Sequence, residues 1–197
     1  MASITEICNT ALGRIGSKRI TNYGDATEDS AQAVLCRLHY DPTKKSLIRS
    51  YKWPFAIAQS TLARDTVTPD FEYDYQYHMP DDYLSPLGFY EGRKSNINLD
   101  SFEIQGRLLL TDETTVELKY IKNVDDVSLF DPLFTDVLAL RLALKLLPGL
   151  GGVANTALVE AIGMELREAE SKARVVSAQE GNTVGSNDRE KWNDARY

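Results

Sequence analysis

The stretch TEDSAQAVLCRLHYDPTKKSLIRSYKWPF, Thr27–Phe55, decides how the chain is read. Apolar side chains fall at Ala31, Val34, Leu35 and Leu38, then at Leu47, Ile48 and Tyr51. Continuing the first group at about 3.6 residues per turn calls for apolar positions near 41–42, 45 and 48–49. Leu47, Ile48 and Tyr51 fit that phase tolerably, so the stretch reads as one long bent helix or as two shorter ones. Pro42 has no amide hydrogen and its ring crowds the preceding turn, which predicts a kink or interruption near Leu38–Asp41. The helix ends at Trp53-Pro54, because a residue before proline is pushed toward extended geometry. Trp53 and Phe55 then stand just past the last turn as core and hinge anchors. A helix of this length is expected to be the spine of its domain.

Helical signals continue on both sides. Ser3 and Glu6 form a capping-box pattern, followed by Ile4, Ile7, Cys8, Ala11, Leu12 and Ile15 at helical spacing. Gly16 is a natural stop. Residues 17–26 read as a loop with Ile20 and Tyr23 tucked against the core. Downstream, Asp131-Pro132 is an N-cap followed by proline at the first helical position. The helix it opens is apolar on almost all sides through Leu147, which predicts burial on more than one face, in the core or in a subunit contact. A last helix is expected from Asn155 to Gln179, with Leu158, Ile162, Leu166, Ala169, Ala173 and Val176 on one stripe.

Between Phe55 and Lys122 the pattern is that of strands. Phe71–Tyr77 alternates strictly. Tyr83–Glu91 reads as a strand interrupted at Pro86, which suits an edge or a bulge. Asn96–Leu99, Phe102–Ile104, Leu108–Leu110 and Val116–Ile121 complete a small antiparallel meander. The expected fold class is therefore α+β, mainly α. It is an antiparallel bundle of about four helices with a small antiparallel β insertion and a flexible C-terminal tail. The whole is one domain, with the bundle in residues 1–55 and 126–180, the insertion in 56–125 and the tail in 181–197. That tail is polar, yet it ends in Trp192, Arg196 and Tyr197, residue types enriched at binding hot spots.

Composition narrows the function classes. The 197 residues are 43% hydrophobic and 26% charged, and the formal net charge is −7. An acidic chain without a basic helix argues against a grip on nucleic acid or a DNA-reading regulatory role. No signal peptide and no membrane span are expected. Cys8 and Cys36 sit on apolar helix faces and read as small buried hydrophobes rather than a disulfide. His78 with Asp81 and Asp82 matches no closed metal site. Cys8 or Cys36 with His39 would need an accessible thiolate. Gly149–Gly152 precedes a helix but lacks the Lys-Ser/Thr pair of a phosphate loop. Neither a metal nor a cofactor is expected, and an assembly role is favoured over catalysis.

The chain resembles the tail tubular protein A family, the head-to-tail adaptors of short-tailed bacteriophages. The resemblance rests on an ordered set: Ala11-Leu12-Gly13-Arg14-Ile15-Gly16, Leu47-Ile48-Arg49-Ser50-Tyr51-Lys52-Trp53-Pro54-Phe55-Ala56, Met79-Pro80-Asp81-Asp82-Tyr83-Leu84, Val116–Ile121, Phe130-Asp131-Pro132-Leu133-Phe134 and Trp192–Tyr197. It departs at Tyr51-Lys52 and at Pro42. The resemblance implies a virion protein made in the host bacterial cytoplasm. It would form a homo-oligomeric ring, a dodecamer, between the portal protein and a tail nozzle similar to tail tubular protein B. DNA would pass through the channel without specific binding. Portal docking would fall to Trp192, Arg196 and Tyr197. Some relatives are credited with cell-wall hydrolysis, so the alternative is a peptidoglycan hydrolase, with Asp81, Asp82 and Glu91 as its first candidate carboxylates.

Overall fold

Asp131 caps a helix by accepting hydrogen bonds from the backbone N–H groups of Leu133 and Phe134 (2.8 and 3.3 Å), and Pro132 fills the first position. This helix, α3 (Pro132–Leu146), is the centre of the structure. The computed structural model describes residues 3–91, 94–95, 102–151 and 156–181. Phe134, Val137, Leu138, Ala139, Leu140, Leu142, Ala143 and Leu146 are all buried. Three helices pack on α3: α1 (Ile4–Arg14), α2 (Ala31–Ser50) and α4 (Thr156–Gly181). Most of the apolar surface that suggested either a core or a subunit contact is consumed within the chain, with Leu133 and Leu144 only partly buried. The spine is thus α3 and not Thr27–Phe55, because only α3 is apolar on enough sides to serve three neighbours.

α1 forms as its sequence dictates. The Ser3 hydroxyl accepts from the Glu6 N–H while the Glu6 carboxylate accepts from the Ser3 N–H. α2 differs from expectation in three ways. It starts at Ala31 under a Ser30 cap, because Glu28 is occupied in accepting from the N–H groups of Thr21 and Asn22. It runs unbroken through Pro42, which is exposed, so water can serve the carbonyl that loses its partner. Its buried face is Ala33, Cys36, Tyr40, Thr43, Lys44, Leu47 and Ile48, whereas Val34 (44% exposed) and Leu38 (60%) point to solvent. The polar members of the true stripe disguised it. Lys44 is buried because its ammonium is held by Asp125 (2.6 Å) and Asp41 (3.1 Å).

The remainder is sheet. Among the described residues the chain is 49% helical and 20% strand, with four α-helices and two small antiparallel sheets. The first sheet has the order β1-β7-β3-β4, from Ile57–Thr61, Glu117–Lys122, Tyr83–Glu91 and Lys94–Ser95. The second has the order β2-β6-β5, from Tyr75–His78, Leu108–Thr111 and Phe102–Gln105. This is not a meander. β1, which the sequence reading did not name, pairs with the last strand, β7, and β7 also pairs with β3. Alternation along β7 explains its central place: Ile121 packs on the helical core, while Leu118 and Tyr120 face the second sheet. β3 carries two register shifts, after Tyr83 and after Pro86. The extra residues are Leu84 and Leu87, and both pack against the helical core. The expected strand Asn96–Leu99 lies outside the described residues.

The expected strand Phe71–Tyr77 forms only from Tyr75 onward. Glu72 adopts φ 71°, and the Tyr73 N–H bonds to the Phe71 carbonyl at 2.9 Å. That is a γ-turn with positive φ, a strained conformation for a residue with a Cβ. It breaks the extended run and leaves Phe71 73% exposed.

Two outcomes test this account. Phe134→Ala is expected to cost about 3–5 kcal/mol, whereas Leu38→Ala stays within about 0.5 kcal/mol, both read by urea denaturation. The Lys44 ammonium holds the Asp125 carboxyl below its usual range; at Asp41 burial opposes the same effect but the hydrogen bonds from Lys44 and Lys45 win. Depressed carboxyls contribute stability above their unfolded value, about 3.9, and lose it as pH falls through the folded one. Asp125→Asn should therefore be less stable than the native protein at about pH 6 and lose less on acidification below about pH 4. Equal acid slopes for the two proteins would remove Asp125 from the account.

Candidate interaction surface

The sequence put its anchors at Trp53 and Phe55. Trp53 is buried, and its Nε1–H donates to the Leu47 carbonyl at 3.0 Å. Its ring meets Phe134 edge-on at 5.0 Å, and Phe55 lies 4.9 Å from Phe134 and 5.5 Å from Phe130. These rings fill the place where α2, the start of β1 and α3 converge, with Trp53 enclosed there and Phe55 partly buried. Trp192, Arg196 and Tyr197 lie outside the described residues.

The carboxylates named for hydrolysis do not converge. Asp81 is fully exposed and pairs with Arg107 at 3.1 Å. Asp82 accepts from the Tyr120 hydroxyl at 2.9 Å, and burial together with that contact pushes the phenol up to about 12. Glu91 closes β3, nine residues beyond Asp82. At roughly 3.3 Å per residue the strand separates them by more than 20 Å, against the 5–10 Å or so that paired carboxylates need. This triad is therefore set aside. His78 pairs with Asp65 at 3.0 Å, and no group of three or more metal-ligating side chains occurs among the described residues. Cys8 and Cys36 are fully buried, and contact with Cys36 and burial push the Cys8 thiol up, away from thiolate. His39 lies instead on the groove side of α2.

That groove is the feature the sequence reading missed. α2 and α4 flank one side of α3 and leave Arg141, Leu144 and Lys145 as a floor between them. A depression of about 620 Å³ lies on the α2 side, against His39, Pro42 and Ser46. A second, of about 330 Å³, lies on the α4 side against Val159, Gly163 and Met164. Leu144 lines both, so the two depressions are neighbours along α3 and together form the groove. Met164 is 63% exposed on its wall, and Leu38 stands one helical turn from Pro42 on the rim. Gly163 has no Cβ, and nothing stands within 4 Å of where one would lie, which keeps the channel open.

Arg141 is spoken for, through Glu170 at 2.7–2.8 Å. Lys145 and Arg167 carry no ion pair among the described residues, and Glu160 is the one acid on the same wall. The α2 side is thus lined mainly by polar and basic side chains and the α4 side by Leu144, Val159 and Met164, with two free cations and one acid between them, in a chain whose net charge is −7. Large apolar side chains held out from a packed scaffold mark a contact surface more readily than a reaction site. The signal was present in the sequence: once Ala33, Cys36, Tyr40 and Leu47 are taken as the buried stripe, Val34 and Leu38 must face outward. No helix among the described residues is long and apolar enough to cross a membrane. The chain matches no known family model and no curated protein.

Met164→Asp and Leu38→Asp should leave the unfolding midpoint unchanged, within about 0.5 kcal/mol, while lowering the fluorescence of a bound apolar dye such as ANS. A destabilisation beyond about 1 kcal/mol would show that these side chains are core and not surface.

Proposed function

We propose that the chain is a structural virion protein, a head-to-tail adaptor of a short-tailed bacteriophage that assembles as a ring, a dodecamer, on the portal. In this reading the four helices act as a bundle and the sheets as an insertion within one adaptor domain. The last residues, with Trp192, Arg196 and Tyr197, dock on the portal, and the ring offers a platform to the tail nozzle while DNA passes through its channel. The observation that carries the reading is the open surface along α3 between α2 and α4, where Leu144 and Met164 remain accessible, on a chain that also leaves Leu38, Val67 and Phe71 exposed. The ordered motifs from Ala11 to Tyr197 supply the identity of the assembly. The acidic balance supports passage of DNA, since a channel wall rich in phosphate contacts would hold it. No observation favours the hydrolase.

The mass of the protein, measured alone and after mixing with its portal, tests the proposal. A monomer alone and a multiple of the chain mass added to the portal are expected. A chain lacking residues 181–197 should stay folded and fail to bind portal. Normal assembly of that truncated chain would refute the docking assignment, and no added mass with the full chain would refute the adaptor.

A further inference from the structure

We infer that the groove between α2 and α4 receives the acidic loop of residues 66–74 from a second copy of this chain, with Phe71 as the inserted side chain. The inference rests on the ring reading above and names the contact that would build the ring.

The loop has the form of a plug. Phe71 is 73% exposed, the largest exposure among the large apolar side chains described, and Val67 is 61% exposed. Asp70, Glu72 and Asp74 surround Phe71 and are exposed, so the tip carries three negative charges. The γ-turn at Glu72 pays conformational strain to keep this shape, and strain is retained where the surrounding structure or a function requires it. The Asp74 N–H bonds to the Asp112 carboxylate at 3.0 Å and the Val67 N–H to the Asp65 carboxylate at 3.2 Å, which ties both ends of the loop to the scaffold. A preorganised loop loses little entropy when it docks.

The receptor has the complementary character. Lys145 and Arg167 stand beside Leu144 and Met164, and Glu160 opposes them in part. A phenyl ring buries roughly 150–250 Å², and the α2-side depression of about 620 Å³ is large enough to take it. The loop cannot reach the groove of its own chain. It borders the second sheet, sharing with Gln76, Gln105 and Leu110 the lining of a depression of about 250 Å³. The first sheet lies between that sheet and the helices, since its two faces serve the two cores. Plug and socket are thus two different surfaces of the chain, which makes the contact head-to-tail, the type that closes into rings. A nine-residue loop falls short of the roughly 1,200 Å² of a stable interface. Free chains should thus associate weakly, and a portal that gathers them would raise the local concentration enough for the contact to form.

A photo-crosslinking phenylalanine analogue placed at position 71 of the full chain tests this. Equal amounts of isotope-labelled and unlabelled protein are mixed with portal, irradiated and digested. Hybrid-mass peptides joining position 71 to residues 141–167 are expected. In the unmodified chain, Asp70→Lys with Glu72→Lys, or Lys145→Glu with Arg167→Glu, should each weaken assembly about tenfold or more, and the two sets together should restore it. Cross-links to any other surface, cross-links only within one copy, or failure of the double reversal to rescue would each overturn the docking. Rings seen by electron microscopy alongside those results would leave the adaptor reading standing; absence of rings would remove both.

Discussion

Everything in the structure depends on the burial of α3 from all sides. Eight of its side chains are lost to solvent, and each large one removed from water contributes roughly 1.5–3 kcal/mol. No single neighbour can cover such a helix, so α1, α2 and α4 are all recruited. The aromatic group of Trp53, Phe55, Phe130 and Phe134 then fixes the direction in which the chain leaves α2 and enters α3. Because Trp53 also donates to the last turns of α2, the end of that helix and the start of β1 cannot move independently of α3.

The strands inherit their order from the same constraint. β7 runs directly into the segment that leads to α3, so one of its faces lies on the helical core. Its other face needs a second cover, which the β2-β6-β5 sheet supplies through Tyr77, Leu109 and Phe102. A strand buried on both faces belongs in the interior of its sheet, which explains why β1 and β3 flank it although neither follows it in sequence. The two bulges in β3 answer the same demand: without them Leu84 and Leu87 could not both reach the helical core.

Much of this was legible in the residues. Ser3 with Glu6, and Asp131 with Pro132, specify helix starts by local hydrogen bonding alone, and β3 runs over the same residues, Tyr83–Glu91, that its pattern marks. The errors came where a distant partner overrides the pattern. Lys44 reads as solvent-facing until Asp125, 81 residues away, is brought beside it. Phe71–Asp74 alternates like a strand, but no neighbour pairs with it and Glu72 turns out of line. Pro42 reads as a breaker, yet an exposed proline in a helix anchored along its opposite face can stay. The outward placement of Val34 and Leu38 follows once the true stripe is taken, but the groove itself was out of reach, because it is made by the spacing of α2 from α4, which no local pattern encodes.

The position of that surface follows from what the core did not use. α3 carries apolar side chains on nearly its whole circumference, but Leu144 sits among Arg141 and Lys145, whose long charged side chains prevent α2 and α4 from closing over it. Closing the groove would bury Lys145, which holds no ion pair, since Glu170 already serves Arg141 and Arg174 and Glu160 lies on the α4 side. Burying an unpaired ammonium costs more than covering one leucine gains. The helices therefore part at this place, and Leu144 and Met164 remain in reach of another molecule that brings its own negative charge.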